Sequence, residues 1–308
     1  MWYRTLDSLT GRLFAALWTA SFAILGRLRR SRVPRLAALG GQSIWIVSPH
    51  PDDEIIGCSF AILRHRMAGD RVLTIFVTDG RGSRAHGLKP EEMARERQRE
   101  AAKSQSLLGL SEFEWLAFPE GGWRPADLVT SLRLLAETGE PDVIYAPSCV
   151  DFHPEHRKVA RALAEFLDAS GLKPTLRIAQ IHVPITSILV NLVASGEGLS
   201  EKARQARAAY RTQALSIDRT TRMRRYAAAF HRAGAEAEEY WQVSAGTYVT
   251  LHAESSENQH ANFQGVRFRS WSDPLRYLRG RAERRQLLAR AAMTDEAGTE
   301  APRCQERK

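Results

Sequence analysis

Ser43-Ile44-Trp45-Ile46-Val47-Ser48-Pro49-His50-Pro51-Asp52-Asp53-Glu54 opens as an uncharged apolar run and closes in a polar turn. The run is short, rich in β-branched and aromatic side chains, and stopped by Ser48-Pro49. It reads as a strand buried on both faces. The same pattern recurs downstream. Ile55–Met67 is helix-like and stops at Gly69, and Val72–Val77 is a second apolar strand ending in Thr78-Asp79-Gly80. Helices are expected over Glu91–Leu108, Pro125–Glu137 and His153–Leu167, and strands over Phe113–Phe118, Val143–Ala146 and Arg177–Val183. Apolar strands alternating with helices predict an α/β fold with a mostly parallel sheet covered by helices on both faces.

After residue 185 the pattern weakens. The spacing there predicts helices over Glu201–Ile217 and Arg219–Ala235, a closing strand over Trp241–Leu251, a polar loop over 252–263 and an amphipathic Arg-rich tail. The chain divides into a basic and apolar extension (1–42), a main domain (43–251) and a basic tail (252–308).

In sheets of this kind the ligand site lies beyond the carboxyl ends of the strands, where strand order switches. Polar residues collect at 48–54, 78–86, 119–124 and 147–156, each just after an expected strand. Two of these stretches carry the chemistry: Pro49-His50-Pro51-Asp52-Asp53-Glu54, and Asp151-Phe152-His153-Pro154-Glu155-His156. A catalytic zinc takes three His or carboxylate ligands and leaves one position for water. His50, Asp53 and His156 would supply that set, and the net positive charge left at the metal would lower the pKa of bound water to about 7. Asp52, adjacent but differently directed, would take a proton from that water. His153 would face the metal from the other side, to stabilise an oxyanion or protonate a leaving nitrogen. Glu155 or Asp151 would orient one of the two ligand histidines.

Each turn has an ordinary explanation by itself, the Asp pair as a helix cap and the His-Pro as a plain turn. Their joint occurrence at two strand exits is what points to a metal. His65, His86, His182, His231, His252 and His260 lack comparable neighbours and read as structural or exposed.

The two turns together resemble the PIG-L/LmbE-like family of zinc N-deacetylases, with its His-Pro-Asp-Asp-Glu turn and later His-Pro-Asp-His. Arg97-x-x-Glu100 with Leu108-Gly109, Tyr210-Arg-Thr-Gln213 and Ala237-Glu238-Glu-Tyr240 resemble further family elements. The resemblance covers roughly residues 43–250. It implies a Rossmann-like domain, metal ligands at His50, Asp53 and His156, a general base at Asp52 and an oxyanion-stabilising His153. It also implies a substrate contact at Arg97, Zn2+ (or another divalent metal such as Fe2+) as cofactor, and an N-acylated amino-sugar conjugate as substrate. Glu155 stands where the family usually has Asp, which leaves its role open. Asp79, at the second strand exit, is expected to line the pocket.

The formal charge of +9 belongs to the ends. Residues 1–35 hold seven arginines against one aspartate, and residues 261–308 eleven basic residues against six acids, so the stretch between them is slightly negative. A basic binding module is therefore a rival reading, but nothing alternates aromatic and basic side chains as single-strand binders do, so nucleic acid is not expected. Leu13–Gly26 is uncharged and would span roughly 21 Å as a helix, short of the ~30 Å hydrocarbon core. Two readings fit it: a helix at an anionic membrane surface, or one packed on the body. Cys58, Cys149 and Cys304 form no CxxC pair, which fits a reducing, cytoplasmic compartment. The size of the acyl group also stays open, acetyl or larger.

Overall fold

β1 (Ser43–Ser48) pairs in parallel with β2 (Arg71–Thr78) on one side and with β4 (Val143–Ala146) on the other. β3 (Phe113–Phe118) lies outside β2, and β5 (Thr175–Ala179) outside β4, all in the same direction. β7 (Ala237–Val243) then runs antiparallel to β5 and carries β6 (Leu192–Ser195) at the far edge. The sheet order is β3-β2-β1-β4-β5-β7-β6. The chain steps outward from β1 in one direction and then returns to start again at β4, so the switch in strand order falls between β1 and β4. The computed structural model describes residues 9–28, 32–83, 85–148, 151, 153–179, 181 and 189–253, with Gln286 and Ala289 helical beyond them.

Alternation along the strands builds two cores. Trp45, Val47, Ile75, Val77, Ile144 and Ala146 face one side, under α4 (Pro125–Thr138), α5 (Pro154–Ser170) and α8 (Ala245–Ala253). Ile44, Ile46, Val72, Phe76, Val143 and Tyr145 face the other, under α2 (Asp53–Ala68), α3 (Pro90–Leu108) and α6 (Ser200–Arg207). This is the expected α/β sheet with helices on both faces. α1 (Leu9–Leu28) packs along α7 (Ala214–His231), which lies against β7.

The second half departs from the expectations. The closing strand is Ala237–Val243, and Ala245–Ala253 is a helix where a strand to Leu251 was predicted. Tyr248, Val249 and Thr250 have strand-like composition, but the Ser244 hydroxyl accepts from the Thr247 amide at 3.1 Å and starts a helix. Tyr248 and Leu251 are then buried in the core against α5. The two predicted helices over 201–235 are α6 and α7, with their break at Ala208–Gln213, and α7 ends at Arg232 in the left-handed conformation. β6 was not foreseen, because four residues give too short a pattern. Ahead of β1 the chain runs beside β6: the Leu36 amide donates to the Val193 carbonyl at 2.8 Å, and the Val193 amide to that of Pro34 at 3.0 Å. The predicted tail helix lies outside the described residues, apart from Gln286 and Ala289.

Candidate active site

The turn after β1 is bonded at nearly every step. Both the amide and the hydroxyl of Thr78 donate to the Pro49 carbonyl, at 3.1 and 2.8 Å. The Ser48 hydroxyl donates to the His50 carbonyl at 2.7 Å and accepts from the Glu54 amide at 3.2 Å. The His50 amide donates to Oδ2 of Asp53 at 2.9 Å. Asp52 sits at the head of α2 with φ 124°, a conformation that costs a non-glycine residue of order 1–3 kcal/mol and persists only where the surroundings enforce it. Glu54 supplies part of that enforcement, accepting from the Asp52 amide at 3.0 Å and from the Tyr210 hydroxyl at 2.6 Å.

Across the β1/β4 switch, α5 begins at Pro154 and points His156 back at this turn. Nδ1 of His50 lies 3.1 Å from Nε2 of His156 and 3.2 Å from Oδ2 of Asp53, and the third side of the triangle, His156 Nε2 to Asp53 Oδ2, is 3.0 Å. Tetrahedral zinc with bonds of about 2.0–2.2 Å puts its donors roughly 3.3 Å apart. The three buried donor atoms fit that ion with little adjustment. Asp151 supports the arrangement by accepting from Nδ1 of His156 at 2.9 Å, which leaves the Nε2 lone pair of a neutral ring directed into the triangle. His153 also brings a ring nitrogen within 4.8 Å of those of His50 and His156. It stands edge-on to His50, with centroids 4.7 Å apart, and lines the open side. Asp53 closes the tighter triangle, so we take it as the third ligand and His153 as a residue of the pocket wall.

Within the cluster the charges offset one another. Burial disfavours charge on every member, but their mutual attraction prevails. Asp53 and Glu120 lift His50 to about 9. Asp53 and Asp151 raise His156, and the two imidazoles hold Asp53 well below the usual carboxylate range.

Residues 45–167 match the profile of the family described as PIG-L, GlcNAc-PI de-N-acetylase. Over that stretch the chain is similar to the PIG-L family. Among solved structures it is similar to an N,N'-diacetylchitobiose deacetylase from Pyrococcus horikoshii, at 22% identity over 67% of this chain and 85% of that one, TM-score 0.56. A deacetylase of teicoplanin biosynthesis matches at 18% identity over 66% and 98%, TM-score 0.54. GalB, a 4-carboxy-2-hydroxymuconate hydratase from Pseudomonas putida KT2440, matches at 16% over 66% and 96%, TM-score 0.55. At these identities the likeness is one of fold, and that fold hosts more than one chemistry. Among curated proteins none matches the sequence.

Around the two turns lies an open pocket lined by His50, Asp52, Asp53, Arg97, Glu120 and His153, together with Gly80, Gly82, Ser83 and Gln213. Arg97, expected as a substrate contact, is almost wholly buried, with Nη2 3.5 Å from Oδ1 of Asp52. With its amide oxygen turned inward, Gln213 accepts from both terminal nitrogens of Arg97 at 3.2 Å. Glu100 accepts from the amide and hydroxyl of Thr212 and so fixes the Arg211–Gln213 turn beside them.

Two expectations need correcting. Asp79 is not among the residues that line this pocket; Arg81 Nε donates to its carboxylate at 2.6 Å and the Arg81 amide at 3.1 Å. Glu155 does not orient a histidine; it reaches away from the metal triangle to accept from the Gly121 amide at 3.2 Å and from the Trp123 indole at 2.6 Å. Of the two alternatives, Asp151 is the one that bonds a ligand histidine.

The residue that sequence reasoning missed is Glu120. Its Oε1 lies 3.5 Å from Nε2 of His50, and its Oε2 accepts from the Gly82 amide at 2.9 Å. A Cβ at Gly82 would stand 2.5 Å from the Glu120 carboxylate, so a larger residue there would make that side chain shift. Burial opposes the charge of Glu120, but hydrogen bonding and attraction to His50 bring its pKa down to about 2. The signal was present, because 119–124 is one of the polar stretches at a strand exit. A single acid beside two glycines carries no motif of its own.

Proposed function

We propose that this chain is a zinc-dependent deacetylase that hydrolyses the N-acetyl amide of an N-acetylglucosamine-type sugar conjugate, lipid- or polysaccharide-linked substrates included. The observation that carries the reading is the triangle of His50, Asp53 and His156, set at the switch in strand order with Asp52 strained beside it. Zinc held there supplies Lewis acidity toward the amide carbonyl and makes water ionisable near neutral pH. Asp52, on the pocket wall and paired with Arg97, takes the proton of the attacking water. His153, on the open side, donates to the carbonyl oxygen as negative charge gathers on it. The proton on Asp52 then goes to the departing nitrogen, so that acetate and a free amine leave.

The character of the wall favours acetyl over a longer acyl group. Among the described residues the pocket is lined by charged, polar and glycine residues, with no large apolar side chain to shelter an alkyl chain. Such a wall suits a hydroxyl-rich sugar.

The test joins metal analysis of the purified chain to acetate release from N-acetylglucosamine conjugates, with N-acyl analogues of increasing length alongside. The expected result is about one bound divalent metal per chain, activity lost on chelation and restored by zinc, and turnover that falls steeply beyond acetyl. A metal-loaded chain that releases acetate from none of these conjugates overturns the reading. Faster turnover of the longer acyl groups overturns the acyl assignment.

A further inference from the structure

α1 has two faces with different surroundings. On one, Gly26 lies so close to α7 that a Cβ there would meet the Phe230 carbonyl oxygen at 2.0 Å. Phe22 stacks on Tyr226 with centroids 5.2 Å apart and meets Phe230 edge-on at 6.4 Å. Arg232 donates to the carbonyls of Gly26 and Arg27 at 3.3 and 3.2 Å. Contacts that pair 22 with 226 and 26 with 230 mean that the two helices run in the same direction.

The opposite face is apolar and uncovered. At 3.6 residues per turn, Leu13, Leu17, Ile24 and Leu28 fall within a stripe roughly 60° wide, turned away from Phe22 and Gly26. They are 59, 54, 56 and 73% exposed. The hydroxyls of Thr19 and Ser21 do not break the apolar character, because they donate back to the carbonyls of Ala15 and Leu17 at 2.8 and 2.9 Å. Four aliphatic side chains in line on a helix clamped to the body from behind make a surface suited to an apolar partner.

We propose that this stripe seats α1 flat in the headgroup region of an anionic lipid bilayer and holds the domain at the membrane surface. Charge selects the occupant. Residues 1–35 carry Arg4, Arg12, Arg27, Arg29, Arg30, Arg32 and Arg35 against Asp7 alone. Docking of a second copy stripe to stripe would bring two such sets together and be opposed by their repulsion, whereas anionic headgroups neutralise them. No described helix is long and apolar enough to cross a membrane, and the clamp on α7 keeps α1 on the body, so the mode is a surface one. The docking goes beyond the deacetylase reading and does not depend on it. Where that reading holds, the geometry adds a consequence. α7 starts directly after Gln213 of the pocket, and α1 starts from the same end of the fold. With α1 flat on the bilayer, Gln213 at the start of α7 would stand one helix away from the surface, on the side where an amino sugar borne on a lipid lies.

The test is sedimentation of the full chain with phosphatidylcholine vesicles and with vesicles that also contain phosphatidylglycerol, for the wild type and for a Leu17→Gln/Ile24→Gln variant. Both side chains are exposed, so the variant keeps its fold, which circular dichroism checks. The expected result is partition onto the anionic vesicles roughly tenfold or more above the neutral ones, weakened by salt, and a drop of about tenfold or more in the variant. A wild type that stays in the supernatant overturns the proposal. So does a variant that binds as well as the wild type, which would assign the binding to the basic C-terminal residues. A wild-type dimer in solution that the variant dissociates overturns it in favour of a second copy.

Discussion

Oε1 of Glu120 stands 3.5 Å from Nε2 of His50, on the far side of the ring from the Nδ1 that faces Asp53 and His156. Asp151 stands in the same relation to His156, so each ligand imidazole is backed by its own carboxylate. A carboxylate behind a ligand histidine fixes the ring and raises its basicity, and losing one typically costs 10–100-fold in metal affinity. Glu120→Gln is therefore expected to weaken zinc binding by roughly that factor while the fold and the other two ligands persist. Competition against a chromophoric chelator measures this without any substrate. An unchanged zinc affinity would show that Glu120 does not act through His50.

Asp52→Asn removes the proton acceptor and little else. Asn is among the residues that tolerate positive φ, so the strained turn with Asp52 at φ 124° survives the exchange. We expect zinc content to stay at the wild-type level and kcat to fall by about 10²–10⁴, the range general-base catalysis contributes. If acetate release persists at the wild-type rate, the base lies elsewhere.

Which parts of this site could be read in advance follows from how local their signals are. β1 to α5 alternate short apolar runs with helices, and the motifs at 50–54 and 153–156 each sit at one strand exit, so sheet, switch point and ligand set all follow from neighbouring residues. Glu120, Tyr210 and Gln213 act across 38 to 156 residues of chain, and no periodicity marks such pairs. Tyr210 and Gln213 were noticed only through a resemblance, and their work, bonding Glu54 and Arg97, became visible only in three dimensions. Tyr248–Thr250 misled for the converse reason, since tertiary burial against α5 overrode a strand-like composition.

Glu155 differs from the Asp usual in the PIG-L motif by one methylene, and that length is used. It lets the carboxylate span from α5 to both Gly121 and the Trp123 indole, and so ties down the loop that carries Glu120. Glu155→Asp cannot reach both donors and leaves a buried indole N–H unpaired, a loss of about 1–3 kcal/mol. Thermal unfolding should show that loss, and Trp123→Phe in the Glu155→Asp background should recover part of it by removing the orphaned donor. A Glu155→Asp variant as stable as the wild type would place the anchor of this loop elsewhere.

Far from the pocket, His65 tests the electrostatics of the core. Nδ1 lies 2.6 Å from Asp70 and Nε2 2.9 Å from the Tyr145 hydroxyl, and Arg177 approaches Nε2 at 3.1 Å. Burial holds the pKa of His65 below its usual value; Asp70 pulls it upward, and the charge on Arg177 pushes it down again. The sign follows from linkage: a folded state that resists the proton binds fewer protons than the unfolded chain as pH falls through about 6.5, so stability drops on acidification. NMR titration of the imidazole is expected to find His65 neutral at pH 6.5. Arg177→Gln removes the like charge, and the midpoint should climb while the acid-side loss of stability shrinks. A His65 that is already protonated at neutral pH would mean that Asp70 outweighs burial and Arg177 together.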